Sequence, residues 1–187
     1  MSFPGIPSLD AAVMAFIQTH FHNTVTDTVF PIITSLGEAG IGWIVLSLVL
    51  LCFKKTRRTD GLVLIAMTVT LLFGELTLKN IICRLRPCNV FTDFPMLIAR
   101  PTSYSFPSGH TSSSFAAALI LTLRHKKVGW LAYIPAVLIA FSRIFLFVHY
   151  PTDVLAGILL GTLAALLTYF AAKAIQKRQA EKRTAQI

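Results

Sequence analysis

Long apolar stretches alternate with short polar segments along this chain, and the pattern predicts an all-α bundle of membrane-spanning helices. The last four apolar stretches approach the roughly 20 residues that a helix needs to cross a bilayer. They lie at residues 61–78, 110–123, 128–148 and 153–172. We therefore expect a polytopic bundle whose total number of spans depends on how the residues before 54 are arranged.

The apolar stretch from Val25 to Phe53 is interrupted by Gly37-Glu38-Ala39-Gly40. At about 1.5 Å per residue it is long for one straight crossing, whereas each half is short for a crossing of its own. We favour one kinked crossing that ends at the basic segment 54–58, which gives five spans in all. Two short crossings, which give six, are the alternative.

Residues 8–22 begin with Ser8, which suits a helix N-cap, and carry apolar residues near one helical face. These are Leu9, Val13, Phe16 and Ile17. The segment is too short and too polar to span a bilayer. We expect an interfacial helix that lies along the membrane.

The composition indicates an integral membrane protein with a single domain over residues 1–187. Of these residues, 55% are hydrophobic and only 13% are charged, too few for the surface of a soluble domain of this size. No basic segment precedes a short apolar core at the N-terminus, so no cleaved signal peptide is evident. Residues 173–187 are interpreted as a basic cytoplasmic tail.

The net charge of +9 raises the question of a nucleic-acid partner, but the positions of the cations argue against one. Twelve of the 17 Lys and Arg residues follow apolar stretches, at 54–58, 124–127 and 173–183, as the positive-inside rule expects of cytoplasmic segments. The other five lie in or near three polar stretches and form a candidate anion site. They are Lys79, Arg84, Arg86, Arg100 and Arg143.

The three polar stretches are residues 79–87, 107–110 and 142–153. With the other basic segments in the cytoplasm, the parity of the crossings places all three stretches at the opposite membrane face. Topology thereby brings together two histidines, a carboxylate, several cations and a Gly-containing turn, an inventory that suits phosphoryl transfer without a metal. One early crossing puts the N-terminus outside, and two put it inside.

A transferring phosphoryl group carries charge on its non-bridging oxygens, so its catalysis is mostly positioning and charge neutralisation. Arg86 and Arg143 suit that role because a guanidinium makes bidentate hydrogen bonds to phosphate, and Lys79 adds a point charge. Pro107-Ser108-Gly109-His110 opens an apolar helix, whose free N–H groups and positive dipole end favour a phosphate. Taken alone, that tetrapeptide is also an ordinary N-cap and turn.

His149 and Asp153 lie four residues apart at a loop-to-helix junction. That spacing lets the carboxylate accept a hydrogen bond from one imidazole nitrogen while the other nitrogen attacks phosphorus. The plainer interpretation is that Asp153 caps the last helix and His149 sits at the membrane interface, and the two interpretations are compatible. His110 supplies a second imidazole, which suits a general acid for the leaving group.

Three neighbouring features bear on the candidate site. Glu75 precedes Lys79 by four residues, a spacing that favours an ion pair, and we expect it to neutralise Lys79 when no anion is bound. Cys83 and Cys88 flank the Arg-Pro pair; free thiols are favoured over a disulfide. The apolar loop 89–105 forms a lid or a lipid-entry lip, unless it is a surface loop packed on the bilayer.

The three polar stretches together resemble the signature of the type 2 phosphatidic acid phosphatase superfamily, which also includes glucose-6-phosphatase and the vanadium haloperoxidases. The family pattern is Lys-x6-Arg-Pro, then Pro-Ser-Gly-His, then Ser-Arg-x5-His-x3-Asp. This chain matches it without a gap or a substitution. The matching residues are Lys79 to Pro87, Pro107 to His110 and Ser142 to Asp153.

The resemblance implies a role for each matching residue. His149 resembles the nucleophile that becomes a phosphohistidine, Asp153 the residue that orients it, and His110 the acid that protonates the leaving group. The remaining five residues resemble the phosphate-binding set, and no metal or other cofactor is implied for hydrolysis. They are Lys79, Arg86, Ser108, Gly109 and Arg143.

The resemblance also implies a multi-pass protein of the cell membrane that acts on a lipid phosphate at the extracytoplasmic face. Undecaprenyl diphosphate is the favoured substrate, with phosphatidylglycerophosphate or phosphatidic acid as the alternatives. A transporter or a non-catalytic membrane subunit is the alternative of another class. The polar residues cluster at one face and the span centres look apolar, which argues against a transporter. The sequence gives no oligomeric state.

Overall fold

The structure is a computed structural model that describes residues 3–52 and 57–184, and within these ranges it is helical and contains no strand. Short 3₁₀ turns at Glu38–Gly40 and Gly129–Ala132 and a π-helical stretch at Leu71–Leu78 join or extend the α-helices. The α-helices are α1 (Ser8–His20), α2 (Thr24–Leu36), α3 (Ile41–Leu51), α4 (Arg57–Thr70), α5 (Lys79–Ile82), α6 (Pro87–Val90), α7 (Gly109–Arg124), α8 (Tyr133–Phe145) and α9 (Pro151–Thr184).

The interrupted apolar stretch forms two helices, α2 and α3, that are bent by 55° at the break between them. The break coincides with the Gly-containing interruption, where Gly40 has a φ of +70° that side chains other than glycine rarely adopt. Pro31 lies inside α2 and removes one backbone donor from that helix. The kink predicted from the sequence is therefore present.

Two helical stretches in the described ranges, Gly61–Val90 and Pro151–Thr184, are long and apolar enough to cross a membrane, and the bent pair makes a third if it counts as one span. The helical segment Gly129–Phe145 is apolar but shorter. The 16 residues of α7 extend only about 24 Å, less than the thickness of a typical hydrocarbon core. The count of five or six spans thus stays a prediction.

Helix α7 lies at the centre of the bundle and packs against α4, α8 and α9. Gly157 and Gly161 let α9 approach it closely, because a Cβ atom at Gly157 would come within 2.7 Å of the Ser108 carbonyl oxygen and one at Gly161 would overlap the Ser112 carbonyl. Close contact sets the N-termini of α7 and α9 side by side. There the Ser108 amide donates to the Asp153 carbonyl at 3.1 Å.

The outer face of α9 carries a leucine at every fourth position, and all four side chains are exposed. They are Leu155, Leu159, Leu163 and Leu167. An exposed apolar stripe of this length is typical of a lipid-facing helix. The basic tail begins on this helix, which continues to Thr184, while the predicted segments 54–58 and 173–187 extend in part beyond the described residues.

Helix α1 forms where the sequence predicted a helix, and its interfacial position stays a prediction. Ile17 is buried, whereas Leu9 and Phe16 are more than half exposed. Asp10 and Gln18 are buried instead, because both make hydrogen bonds to the helices beneath α1. The buried face of α1 therefore carries two polar residues that apolar periodicity does not reveal.

Part of the loop 89–105 packs inside the protein, and its interpretation as a lid or a lipid-entry lip stays a prediction. Phe94 stacks on Phe147 with ring centroids 3.9 Å apart, and Phe91 contacts Phe3 at 5.3 Å, so the loop contributes to an internal aromatic cluster. Its second half, residues 98–103, lines the cavity described below. Cys83 and Cys88 are free thiols, as favoured from the sequence.

Candidate active site

A cavity of about 990 Å³ opens at the end of the bundle where α7 and α9 begin. Six of the eight site residues predicted from the sequence line it. They are Lys79, Arg86, Gly109, His110, Arg143 and His149. Asp153 lies directly behind His149, 3.5 Å from its ring. Ser108 differs, because its buried hydroxyl is paired with the Thr111 hydroxyl at 2.9 Å and does not line the cavity.

A tight turn after α8 brings Arg143 and His149 to the same wall of the cavity. The amides of Val148 and His149 both donate to the Arg143 carbonyl at 3.2 Å, which reverses the chain within six residues. Phe147 adopts a φ of +60° in this turn, a strained conformation for a bulky side chain. Its aromatic neighbours Phe3 and Phe94 pack around it and hold the turn in place.

The Nδ1 side of the His149 ring faces a paired network centred on Asp153. Asp153 Oδ2 lies 3.5 Å from Nδ1, accepts the Ser105 hydroxyl and accepts the Tyr150 amide at 2.9 Å. The last of these bonds is the reciprocal contact of a helix N-cap, so Asp153 both caps α9 and adjoins the imidazole. The Ser105 oxygen itself lies 3.4 Å from Nδ1 and fills the gap between ring and carboxylate.

The Nε2 side of the ring faces the cavity and meets Arg86. Arg86 Nη1 lies 2.9 Å from Nε2 and donates to the Val148 carbonyl at the same distance. A guanidinium only donates, so Nε2 is the acceptor and the ring proton resides on Nδ1, toward Asp153. Arg86 is held in turn by Ser103, whose carbonyl accepts from Nε at 2.7 Å.

Burial lowers the pKa of His149 well below its usual range, and the positive charges of Arg86, Arg143 and Lys79 lower it further. The imidazole is consequently neutral near pH 7. A neutral ring is the form that attacks an electrophile, and its Nε2 lone pair, which here accepts from Arg86, becomes available when Arg86 turns to a bound phosphate.

Two residues that line the cavity carry buried polar atoms that lack protein partners. Within the described residues, His110 Nε2 and Arg143 Nε make no hydrogen bond although both atoms are buried. Arg143 donates through Nη1 to the Thr34 hydroxyl of α2. Arg143 Nε is a buried donor without an acceptor, which is rare, and its positive charge points to an anion that would accept from it.

Lys79 is held by Glu75, as its spacing predicted, with both carboxylate oxygens 2.7 Å from Nζ. The pair lies where the π-helical stretch meets α5, and π-helical turns are frequent at functional sites. Glu75 also lies against Gly109, where a methyl group in place of hydrogen would overlap the carboxylate. Glycine is therefore required at this position for Glu75 to approach the N-terminus of α7.

Sequence reasoning missed several residues that complete the site. Ser105 and Ser103 come from an irregular loop, and Asp10 and Arg84 form ion pairs that reach Asp153 from outside the cavity. None of them stands at a fixed position of the three matched patterns. Arg84 was expected among the cations of the anion site, but the structure pairs it with two carboxylates outside the cavity.

Comparisons with known proteins agree with this architecture. The sequence model of the PAP2 superfamily matches residues 60–177. An undecaprenyl-diphosphatase from Sulfolobus acidocaldarius is 38% identical over 127 residues, which make up 67% of this chain and 61% of that protein.

Two solved structures have the same fold. The crystal structure of Aquifex aeolicus LpxE has a TM-score of 0.76 at 24% identity and covers 90% of this chain and 99% of its own. That of the first transmembrane PAP2 type phosphatidylglycerolphosphate phosphatase from Bacillus subtilis has a TM-score of 0.73 at 29% identity and covers 92% and 89%. Since the family match includes well over half of the chain and all three polar stretches, the protein belongs to the PAP2 superfamily.

Proposed function

We propose that this protein is an integral membrane phosphatase that hydrolyses a lipid phosphate or diphosphate through a phosphohistidine at His149, with undecaprenyl diphosphate as its substrate. One observation carries the proposal. The Nε2 atom of a buried, neutral His149 faces a cavity lined by Lys79, Arg86 and Arg143, while its Nδ1 side adjoins the Asp153 carboxylate. That arrangement suits nucleophilic attack on phosphorus.

In the first step, Nε2 forms a bond to the terminal phosphorus as the bond from phosphorus to the leaving oxygen breaks. The negative charge of the bound phosphate offsets the cavity cations and so favours a protonated His110, which gives its proton to that oxygen; the lipid product then leaves without an added negative charge. The Nδ1 proton of His149 remains directed at Asp153, whose carboxylate offsets the positive charge that develops on the ring.

In the second step, neutral His110 takes a proton from a water molecule, and the resulting hydroxide attacks the phosphohistidine. The bond between nitrogen and phosphorus breaks, inorganic phosphate leaves, and both histidines return to their starting states. The cations of the cavity neutralise the negative charge on the oxygens of the transferring phosphoryl group, and the proposed steps use no metal ion.

The cavity also supports a lipid substrate. From the cations it continues between the bent α2–α3 pair and α4, where its lining becomes apolar. This part is formed by Ile44, Leu64, Met67 and Leu71. A phosphate bound at His149 would carry its hydrocarbon chain along this surface. The name of the Sulfolobus relative, undecaprenyl-diphosphatase, supports the proposal that the hydrocarbon chain is an isoprenoid.

Phosphatidylglycerophosphate is the second candidate substrate, and it is favoured by the Bacillus subtilis structure whose name states that activity. The same residues would act on either lipid. We further propose that the site faces away from the cytoplasm, because the basic segment 124–127 lies at the far end of α7 and the basic tail at the far end of α9. Five spans with an external N-terminus accord with that orientation.

The test is phosphate release by purified protein in detergent containing EDTA, with undecaprenyl diphosphate, phosphatidylglycerophosphate and phosphatidic acid compared. We expect release that His149→Ala abolishes. The matched control is His125→Ala, which makes the same change at the other end of α7 and should retain full activity. The rank order of the three lipids identifies the substrate class.

A rapid quench with ³²P-labelled lipid should trap a phosphoramidate on the wild-type chain that is stable in base and labile in acid. Retained turnover in His149→Ala would remove this residue from the nucleophile's role. No release from any lipid by folded wild-type protein would overturn the phosphatase assignment and favour a transporter or a non-catalytic subunit.

A further inference from the structure

Helix α1 contributes a buried carboxylate to the end of the bundle where the cavity opens. Asp10 is fully buried, and it accepts the Thr152 amide at 2.9 Å and the Thr152 hydroxyl at 2.8 Å. Thr152 belongs to the first turn of α9, where backbone amides lack helical acceptors. Asp10 thus supplies one of those acceptors from a helix 142 residues away in sequence.

Arg84 joins this carboxylate to Asp153. Its Nη2 donates to Asp10 Oδ2 at 2.8 Å, and its Nη1 donates to Asp153 Oδ1 at 2.6 Å. The guanidinium carbon also lies 3.8 Å from the centre of the Tyr150 ring. One planar cation therefore bridges two buried carboxylates, a geometry that the single ammonium of lysine does not reproduce.

We propose that Asp10 and Arg84 are positioning residues of the active site, which fix the Asp153 carboxylate and through it the proton-bearing side of His149. The inference rests on the proposed roles of His149 and Asp153. It makes α1 part of the catalytic assembly, although its sequence indicates only an interfacial helix.

The contacts of Asp153 explain how the effect is transmitted. Arg84 binds Oδ1, whereas Ser105 and the Tyr150 amide bind Oδ2, the oxygen nearest His149. With both oxygens held, the carboxylate cannot rotate about its last torsion. Removing the Arg84 donor frees that rotation and leaves the buried carboxylate without its cation, so the carboxylate no longer holds a fixed position beside the His149 ring.

A purely structural role for Asp10 makes a different prediction. In that case Asp10 only attaches α1 to the bundle, as Gln18 does through hydrogen bonds to the carbonyls of Phe145 at 3.0 Å and Ile144 at 3.3 Å. Gln18 lies on the same helix and is also buried, but its partners are on α8 and do not touch Asp153. Gln18→Met is therefore the matched control for loss of an α1 attachment.

The experiment compares Asp10→Asn, Arg84→Lys and Gln18→Met in detergent, with undecaprenyl diphosphate as substrate and inorganic phosphate as a competitive ligand. We expect the Asp10 and Arg84 variants to lower kcat and the single-turnover rate of phosphohistidine formation by about tenfold to a hundredfold, as loss of an orienting contact does. The inhibition constant of phosphate should change by less than about twofold, because the cavity cations stay in place. Gln18→Met should lower the melting temperature and leave kcat unchanged.

Three outcomes decide the matter. If Asp10→Asn and Arg84→Lys lower the melting temperature but keep wild-type kcat, α1 is only attached and the inference is wrong. If Asp10→Asn does not fold, the kcat of Arg84→Lys, which keeps the charge but loses the fork, still supports or overturns it. If His149→Ala retains activity, then the proposed function itself is wrong, whatever the Asp10 and Arg84 variants show.

Discussion

The two nitrogens of the His149 ring lie in two contrasting environments. On the Nδ1 side, the Asp153 carboxylate accepts hydrogen bonds from the Arg84 guanidinium, the Ser105 hydroxyl and the Tyr150 backbone amide. On the Nε2 side, four cations and an imidazole line an open cavity, and the buried atoms His110 Nε2 and Arg143 Nε have no partner in the described part of the chain. The Nδ1 side, called the paired side below, has its hydrogen bonds completed by the protein. The Nε2 side, called the open side, has buried polar atoms that lack partners.

The difference indicates that the two sides of the His149 ring have different roles, one in orienting the ring and the other in binding an anion. Hydrogen bonds on the Nδ1 side would orient the proposed nucleophile before substrate arrives, so that no reorganisation is needed at the moment of attack. On the Nε2 side, like charges are held close together at a cost in stability, which a bound phosphate would relieve. Substitutions on the first side should reduce both stability and rate, whereas substitutions on the second should reduce rate alone.

The largest effect that distinguishes the two sides is expected for His110→Asn. Loss of the proposed general acid should lower the turnover of a lipid substrate by about 10²–10⁴-fold. The melting temperature should hold, because the Nε2 atom of His110 has no hydrogen bond to lose within the described residues. Turnover and thermal unfolding are measured on the same preparation, beside His125→Asn at the other end of α7.

A nitrophenyl phosphate sharpens that result, because its leaving group departs without a proton. The factor by which His110→Asn lowers turnover should then be smaller by at least about tenfold. An equal deficit with both substrates would assign His110 to phosphate binding and remove it from the general-acid role.

Ser105→Ala tests the paired side and should have a smaller effect on rate. The variant removes a hydroxyl that donates to the buried Asp153 carboxylate, so we expect about a tenfold lower kcat and a free energy of unfolding lower by about 2 kcal/mol. Ser142→Ala is the control, since that buried hydroxyl donates to the Ile139 carbonyl of its own helix and does not touch Asp153. Unchanged stability in Ser105→Ala would contradict the contrast between the two sides.

The sequence predicted the open side better than the paired side. The sequence showed these residues because they match the spacings of a family pattern, and because the parity of the predicted spans brings their segments to one end of the bundle. They are Lys79, Arg86, His110 and Arg143. The kink between α2 and α3 was equally readable from its glycines. These features depend on local spacing, which a sequence displays directly.

The paired side depends on contacts between residues far apart in the chain. Asp10 reaches Thr152 across 142 residues, and Ser105 reaches Asp153 from a loop with no periodicity. In an amphipathic helix, an aspartate near the N-terminus looks like an ordinary favourable charge for the helix dipole. Only the packing of α1 against α9 shows that this carboxylate is buried.

The smallest effect is expected for Glu75→Gln, which tests whether Glu75 occupies the place of the substrate phosphate. Both of its oxygens lie 2.7 Å from Lys79 Nζ, and its carboxylate lies against Gly109 at the N-terminus of α7, the two contacts proposed for a phosphate. Glutamine keeps the size and one acceptor oxygen but removes the charge that repels an entering anion.

Because Glu75 is about one-third exposed and water screens its charge, inhibition by inorganic phosphate or orthovanadate should become stronger by only about threefold to fivefold. The gain should diminish as salt is added. Glu181→Gln is the matched control, because Glu181 faces Lys177 at the same helical spacing on the exposed end of α9 and should have no effect on inhibition. Weaker inhibition in Glu75→Gln would show instead that the carboxylate holds Lys79 in position for phosphate, and Glu75 would then belong to the paired side of the comparison.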